Sequence, residues 1–242
     1  MNLSLVVSNI NKSYSRLPVL KDCTFSFDER GIYVLIGPNG SGKSTFFRIC
    51  SLLEDPDRGV VNYFAGDSAV KRDINLRRRI SLVLPKIGVF NTTVFKNVAY
   101  GLKIRGLNNK EIRKRAEQAL ELVGLAHKKN INACALSSGE AQRLGVARAM
   151  AIEPEILFLD EPTASLDPHS TTIIEETIQK IKEEKKITII MITHNVFQAH
   201  RLADTVLFMY EGMIVDYGSS KEFFKKPKDE RAYRFITGQM VY

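Results

Sequence analysis

Short apolar runs separated by turn-rich segments open the chain and predict strands over residues 3–7, 22–27, 31–36 and 60–64. The period then becomes helical over 108–124, where Ile112, Ala116, Ala119, Leu120 and Val123 form one stripe. Asn108 is the predicted N-cap, answered by Glu111, and Gly124 ends the helix. From Glu155 onward the pattern reads strand (156–159), helix (170–184, opened by Asp167-Pro168), strand (187–193), helix (196–203) and strand (205–210). A turn at Glu211-Gly212 leads into a last strand over 213–217. This βαβ rhythm predicts a parallel sheet buried on both faces. No internal repeat or linker interrupts it, so a single domain spanning 1–242 is expected.

Composition supports a packed core: 44% of the 242 residues are hydrophobic and 26% charged, which excludes disordered and collagen-like classes. The apolar runs are strand-sized, so no membrane-spanning helix is expected. The N-terminus lacks the pattern of a secretory signal, which points to the cytosol. A net charge of +8 suits an anionic partner such as a nucleotide, a nucleic acid or an acidic lipid surface. The basic clusters at 71–79 and 110–115 lack interleaved aromatics and read as solvated faces rather than base-stacking surfaces. Cys23, Cys50 and Cys134 are odd in number and far apart, which argues against a disulfide framework or a zinc site. All three are expected to be small buried fillers.

The candidate chemistry begins where the apolar strand at 32–36 runs into Gly37-Pro38-Asn39-Gly40-Ser41-Gly42-Lys43-Ser44-Thr45. This is GxxxxGK[ST] in strand-loop-helix context: glycines let backbone amides converge on phosphate oxygens, Lys43 reaches the terminal phosphates and Ser44 holds Mg²⁺. A nucleoside triphosphate is the expected ligand. Downstream, an apolar strand ends in Asp160-Glu161, at the edge where open α/β sheets place their ligands. Asp160 is the expected second metal ligand and Glu161 the group that orients or deprotonates the attacking water. The next strand delivers His194 to the same edge, within reach of a γ-phosphate.

Between these elements lies Leu136-Ser137-Ser138-Gly139-Glu140, close to the LSGGQ signature of ATP-binding cassette ATPases, and the chain resembles that family from residue 1 to roughly 220. The resemblance implies an α/β P-loop NTPase fold: a RecA-like, mainly parallel core with an antiparallel β subdomain, a helical subdomain at about 87–150 and a C-terminal tail at about 221–242. It implies ATP as substrate with Mg²⁺ as cofactor, and a head-to-tail homodimer in which Ser137, Ser138, Gly139 and Glu140 of one subunit face the γ-phosphate bound by the other. It also implies adenine stacking on Tyr14, a D-loop at Ser165-Leu166-Asp167, and catalytic roles for Glu161, His194 and Lys43. Two departures stand out: Ser138 and Glu140 replace Gly and Gln in the signature, and Pro85 occupies the position of a Gln that touches Mg²⁺ and water. Proline has neither a side-chain acceptor nor an N–H, so that contact is lost.

Within the family the chain resembles stand-alone importer ATPases. That implies two transmembrane permease subunits, an extracytoplasmic solute-binding protein, a place on the cytoplasmic face of the membrane, and no nucleic-acid partner. Segments 90–103 and 223–242 look like those of cassettes for tungstate, molybdate or phosphate, and tungstate or molybdate is the expected cargo. Phosphate or another solute is the alternative. A soluble nucleic-acid-associated cassette and a regulatory subunit with little turnover are further readings, the latter motivated by Pro85.

Overall fold

The computed structural model describes residues 3–240. The first two strands, β1 (Leu3–Tyr14) and β2 (Leu17–Phe27), are much longer than the alternation predicts. Register shifts at Val7/Ile10, Ile10/Lys12 and Lys12/Ser13 break the two-residue period. The turn between them uses Ser15 and Arg16 at φ 49° and 69°, without the Asn or Gly that marks such hairpins.

β3 (Ile32–Ile36) leads into α1 (Lys43–Cys50), followed by β4 (Arg58–Ala65), β5 (Ser68–Val70), the single turn α2 (Ile74–Arg77) and β6 (Ile80–Val83). Helices α3 (Val94–Ile104), α4 (Asn109–Leu122) and α5 (Ser138–Ala151) come next and pack on one another. The remainder alternates as predicted: β7 (Ile156–Asp160), α6 (Pro168–Lys185), β8 (Thr188–Ile192), α7 (Val196–Leu202), β9 (Thr205–Tyr210) and β10 (Met213–Ser219). The tail forms α8 (Ser220–Lys225) and α9 (Glu230–Ile236).

Two sheets result. One has the order β2-β1-β4-β5 and is antiparallel; the other has the order β10-β9-β3-β8-β7-β6, parallel except for the β9-β10 hairpin. Every residue of β3, β7 and β8 is buried. Alternate side chains serve two cores: Val34, Leu157, Leu159 and Met191 face the helices, while Leu35, Phe158, Ile190 and Ile192 face α1 and the antiparallel sheet. Phe47 of α1 meets Phe158 edge-on at 5.4 Å.

The stripe of α4 is buried as expected, and Asn108 caps it by accepting from the Glu111 amide at 2.9 Å. The reciprocal half of the box is absent, because the Glu111 carboxylate pairs with Arg115 at 2.5 Å. Residues 87–93, expected within the helical insertion, form a loop, and α3 starts only at Val94. Asn97, fully buried, makes that loop fold back: it accepts from the Phe90 amide and donates to the carbonyls of Phe90, Thr92 and Thr93. Cys23 and Cys50 are buried fillers, whereas Cys134 is exposed and fills nothing.

The tail is anchored by the buried Asp216 carboxylate, which accepts from the amides of Lys228 and Asp229 at 2.7 and 3.0 Å. Phe235 then packs on Phe208 at 5.3 Å.

Candidate nucleotide site

β3 sits in the middle of the parallel sheet, between β8 and β9, so the Gly37–Gly42 loop leaves its carboxyl edge beside the ends of both neighbours. The loop passes so close to β9 that a Cβ on Gly37, whose φ is +147°, would lie 2.1 Å from the Met209 carbonyl oxygen. Its far side is tied down by backbone bonds: the Gly212 amide donates to Ser41 O, and the Lys21 amide donates to Gly212 O. No side chain caps the amino end of α1 and its first turn carries no acid, which leaves that end open to an anion. Lys43 is buried, and its ammonium donates to the carbonyls of Gly37 and Pro38 at 2.9 and 2.7 Å. Burial pulls its pKa down, while Glu161 and Asp160 push it back up.

Asp160 ends β7, only 7% exposed. Burial, then the adjacent Glu161 charge, raise its carboxyl above the usual range, while the Ser44 hydroxyl set against it and the charges of Arg48 and Lys43 oppose the rise. Its Oδ1 atom is buried with no hydrogen-bond partner. Such an orphaned anionic oxygen beside a serine hydroxyl fits a hard cation that prefers oxygen donors. Ser44 and Asp160 supply two oxygen donors, which suits a cation that keeps waters and phosphate oxygens, as Mg²⁺ does.

Glu161 follows at φ 46°, a left-handed conformation that costs of order 1–3 kcal/mol at a residue with a Cβ. Its amide donates to Ile192 O at the end of β8, and its Oε2 lies 3.3 Å from His194 Nδ1. The structure therefore brings Lys43, Ser44, Asp160, Glu161 and His194 together at one sheet edge.

Tyr14 is held by residues that the sequence reading did not single out. Its hydroxyl donates to the Glu54 carboxylate, at 2.6 and 2.7 Å from the two oxygens; Arg48 pairs with the same carboxylate, and the Lys12 ammonium lies 5.7 Å over the ring. Nothing in the local pattern marks Glu54, because 40 residues separate it from Tyr14.

The signature residues lie at the start of α5. Ser137 is its N-cap and forms a full capping box with Glu140. Gly139 sits so close to the first turn of α6 that a Cβ there would lie 2.5 Å from Ser170 Oγ. The segment before that turn is the candidate D-loop: Ser165 has φ 64°, Leu166 packs on the core, and Asp167 caps α6 through the Ser170 amide and hydroxyl. Signature and D-loop thus meet through Ser170.

Comparison with known proteins supplies the context. A family model described as ABC transporter matches residues 20–164. The chain is 36% identical to phosphate import ATP-binding protein PstB 2 of Natronomonas pharaonis, over 98% of this chain and 88% of that protein. It is 38% identical to the phosphate import ATP-binding protein PstB of Mycoplasma pneumoniae, over 96% and 74% respectively. Among solved structures, cbiO1 from Clostridium perfringens, part of the complex cbiONQ, superposes with a TM-score of 0.83 at 29% identity, covering 98% of this chain and 95% of that one. The cassette MJ0796, solved as a post-hydrolysis dimer with ADP and Pi, gives 0.78 at 26% identity, covering 89% and 98%.

The Gly139–Ser170 contact yields a stability prediction. Gly139→Ala forces the first turn of α6 to shift and is expected to cost about 1–3 kcal/mol. Combining it with Ser170→Gly, which removes the colliding atoms, should cost less than the sum of the two single changes in urea unfolding. Strict additivity would show that the two helix ends do not press on each other.

Proposed function

The chain belongs to the ABC transporter ATPase family, and on that premise we propose that it hydrolyses ATP as a homodimer to drive phosphate import through a separate membrane permease. The observation that carries the catalytic part is the buried, unpartnered Asp160 Oδ1 beside Ser44, on the same edge as Lys43 and the Glu161–His194 pair.

Lys43 and the open amino end of α1 bind the triphosphate. Ser44 and Asp160 would hold Mg²⁺, which would neutralise charge on the terminal phosphates. Glu161 orients the attacking water and takes its proton as the water oxygen bonds to the γ-phosphorus and the bond to the ADP oxygen breaks. His194, 3.3 Å from Glu161, steadies that carboxylate and contacts the γ-phosphate. Tyr14, its hydroxyl clamped by Glu54, presents a fixed ring for stacking adenine.

The homodimer places Ser137, Ser138, Gly139 and Glu140 of one subunit against the nucleotide of the other, a reading supported by the dimeric form of MJ0796. For cargo, the named relatives are phosphate import proteins, which favours phosphate; the expectation of tungstate or molybdate gains no support from them. An extracytoplasmic binding protein would deliver the solute.

No helix among the described residues is long and apolar enough to cross a membrane. The permease reading rests instead on a groove of about 700 Å³ between β6, α3 and α5, lined in part by Ile87, Tyr100, Ile104 and Arg148. Phe90 and Tyr100 lie tilted against one another at 4.7 Å beside it, each about half exposed, while Phe95 is half-buried against the core. A nucleic-acid role is disfavoured because several residues of the basic clusters already have acidic partners: Arg79 with Glu155, Arg72 with Asp55, and Arg115 with Glu111 and Glu153.

Glu161→Gln is expected to keep ATP affinity, lose about 10²- to 10⁴-fold in turnover, and accumulate an ATP-bound dimer in size-exclusion chromatography. Unchanged hydrolysis would remove Glu161 from the mechanism. Lys43→Ala should weaken nucleotide binding itself.

Cargo is read by uptake in cells depleted of the native protein: the wild-type chain should restore ³²P-phosphate accumulation and Lys43→Ala should not. Restoration of tungstate uptake without phosphate uptake would overturn the phosphate assignment.

Pro85 lies exposed just past β6, next to the strand that ends in Asp160. Pro85→Gln restores an acceptor there and is expected to raise basal turnover. Equal or lower turnover would show that the chain positions its water through other groups.

A further inference from the structure

At the start of α5 the capping box uses only part of Glu140. One carboxylate oxygen accepts from the Ser137 amide at 3.1 Å, and the Glu140 amide donates to Ser137 Oγ at 3.3 Å. The other oxygen is taken by Lys128, 2.5 Å away, at the end of a 3-10 turn over Ala126–Lys128. Both side chains are largely covered, at 28% and 17% exposed. The pair therefore sits in a region of reduced dielectric, where an uncompensated charge acts over a longer range.

In the dimer proposed above, on which this inference rests, the same turn of helix receives the γ-phosphate bound by the partner subunit. A Gln at position 140 would complete the capping box without charge, whereas Glu140 places a full negative charge beside an incoming polyanion. We propose that Lys128 is a positioning residue for the signature, cancelling the Glu140 charge so that the amino end of α5 stays attractive to the partner's nucleotide. The backbone amides and the Ser137 hydroxyl then do what they would do beside a neutral Gln. Lys128 touches no phosphate; it acts through Glu140.

The experiment uses the full chain carrying Glu161→Gln, in which ATP is expected to hold the dimer, and measures ATP-driven dimerisation by analytical ultracentrifugation. Adding Lys128→Met should weaken dimerisation about tenfold at low ionic strength. The deficit should fade near 1 M salt, where screening reaches about 3 Å. ATP affinity of the separate subunits, set by the phosphate loop, should stay unchanged. Adding Glu140→Gln to Lys128→Met should restore dimerisation to within about twofold.

A structural role predicts otherwise: losing Lys128 packing would lower the melting temperature, and the deficit would ignore salt and survive Glu140→Gln. That pattern, or wild-type dimerisation in Lys128→Met, overturns the proposal alone. If the Glu161→Gln chain fails to dimerise with ATP, the trans signature falls and this proposal falls with it.

Discussion

The position of β3 between β8 and β9 is the constraint on which the rest of the molecule depends. A strand buried on both faces and paired on both edges cannot shift without breaking two ladders and two cores at once. The phosphate loop leaves such a strand at a fixed point, and the ends of β7 and β8 arrive alongside because the three strands run parallel in adjacent positions. Parallel order alone brings residues 37–44, 160–161 and 194 to one edge, from three distant stretches of sequence. The close pass of Gly37 by Met209 O and the amide ties through Gly212 then fix the loop to β9 and β2.

The site formed this way is electrostatically costly to the free protein. Lys43 and Asp160 are both buried, and each has its charged form disfavoured by that burial. Neighbouring Asp160 and Glu161 repel one another, and Glu161 adopts a backbone conformation that few side chains accept. Lys43 and Arg48 offset part of the repulsion, but Asp160 Oδ1 remains without a partner. A triphosphate with its divalent cation would relieve each strain: oxygen acceptors for the lysine, a cation for the aspartate, a water for the glutamate. Destabilisation confined to one edge, in a sheet otherwise satisfied, is what differential binding to a charged ligand requires.

The parts of the site carried by contiguous residues were legible in the sequence, because a phosphate loop and a strand ending in two acids are each local patterns, whereas the capping box at Ser137 and Glu140 was not read there. The βαβ half of the fold was legible for the same reason, with strand ends close to those observed. What escaped was what long-range contact decides. The extent of β1 and β2 was hidden by bulges and by a turn with Ser15-Arg16 in place of Asn-Gly. The loop at 87–93 was read as part of a helical insertion because its fold depends on one buried side chain, Asn97. Glu54 beneath Tyr14 and Lys128 beside Glu140 carry no mark of their own, since a lone charged residue reads as solvated until its partner is known. The place of Asp160 at a strand end was legible, but its missing partner was not, because an unsatisfied atom exists only relative to a packed environment.

Helix α5 connects features that the sequence presents as separate. Its first turn carries the signature and presses on α6 at Ser170. One turn further along, Gly145 leaves room for only the Ile87 side chain, since a Cβ there would lie 2.5 Å from Ile87 Cδ1. Near its end Arg148 donates to Gly88 O at 2.6 Å and lies over the Phe90 ring. The loop that follows Pro85 is therefore fastened to the same helix that bears the signature. An α-helix of 14 residues with a mostly buried surface moves as a body rather than bending. Any displacement of the signature, toward or away from a nucleotide, must carry the 87–90 loop and one wall of the neighbouring groove with it. In the proposed dimer, communication with a partner seated in the groove would run through α5 as it meets the nucleotide, so the charge balance at its first turn would act beyond the turn itself.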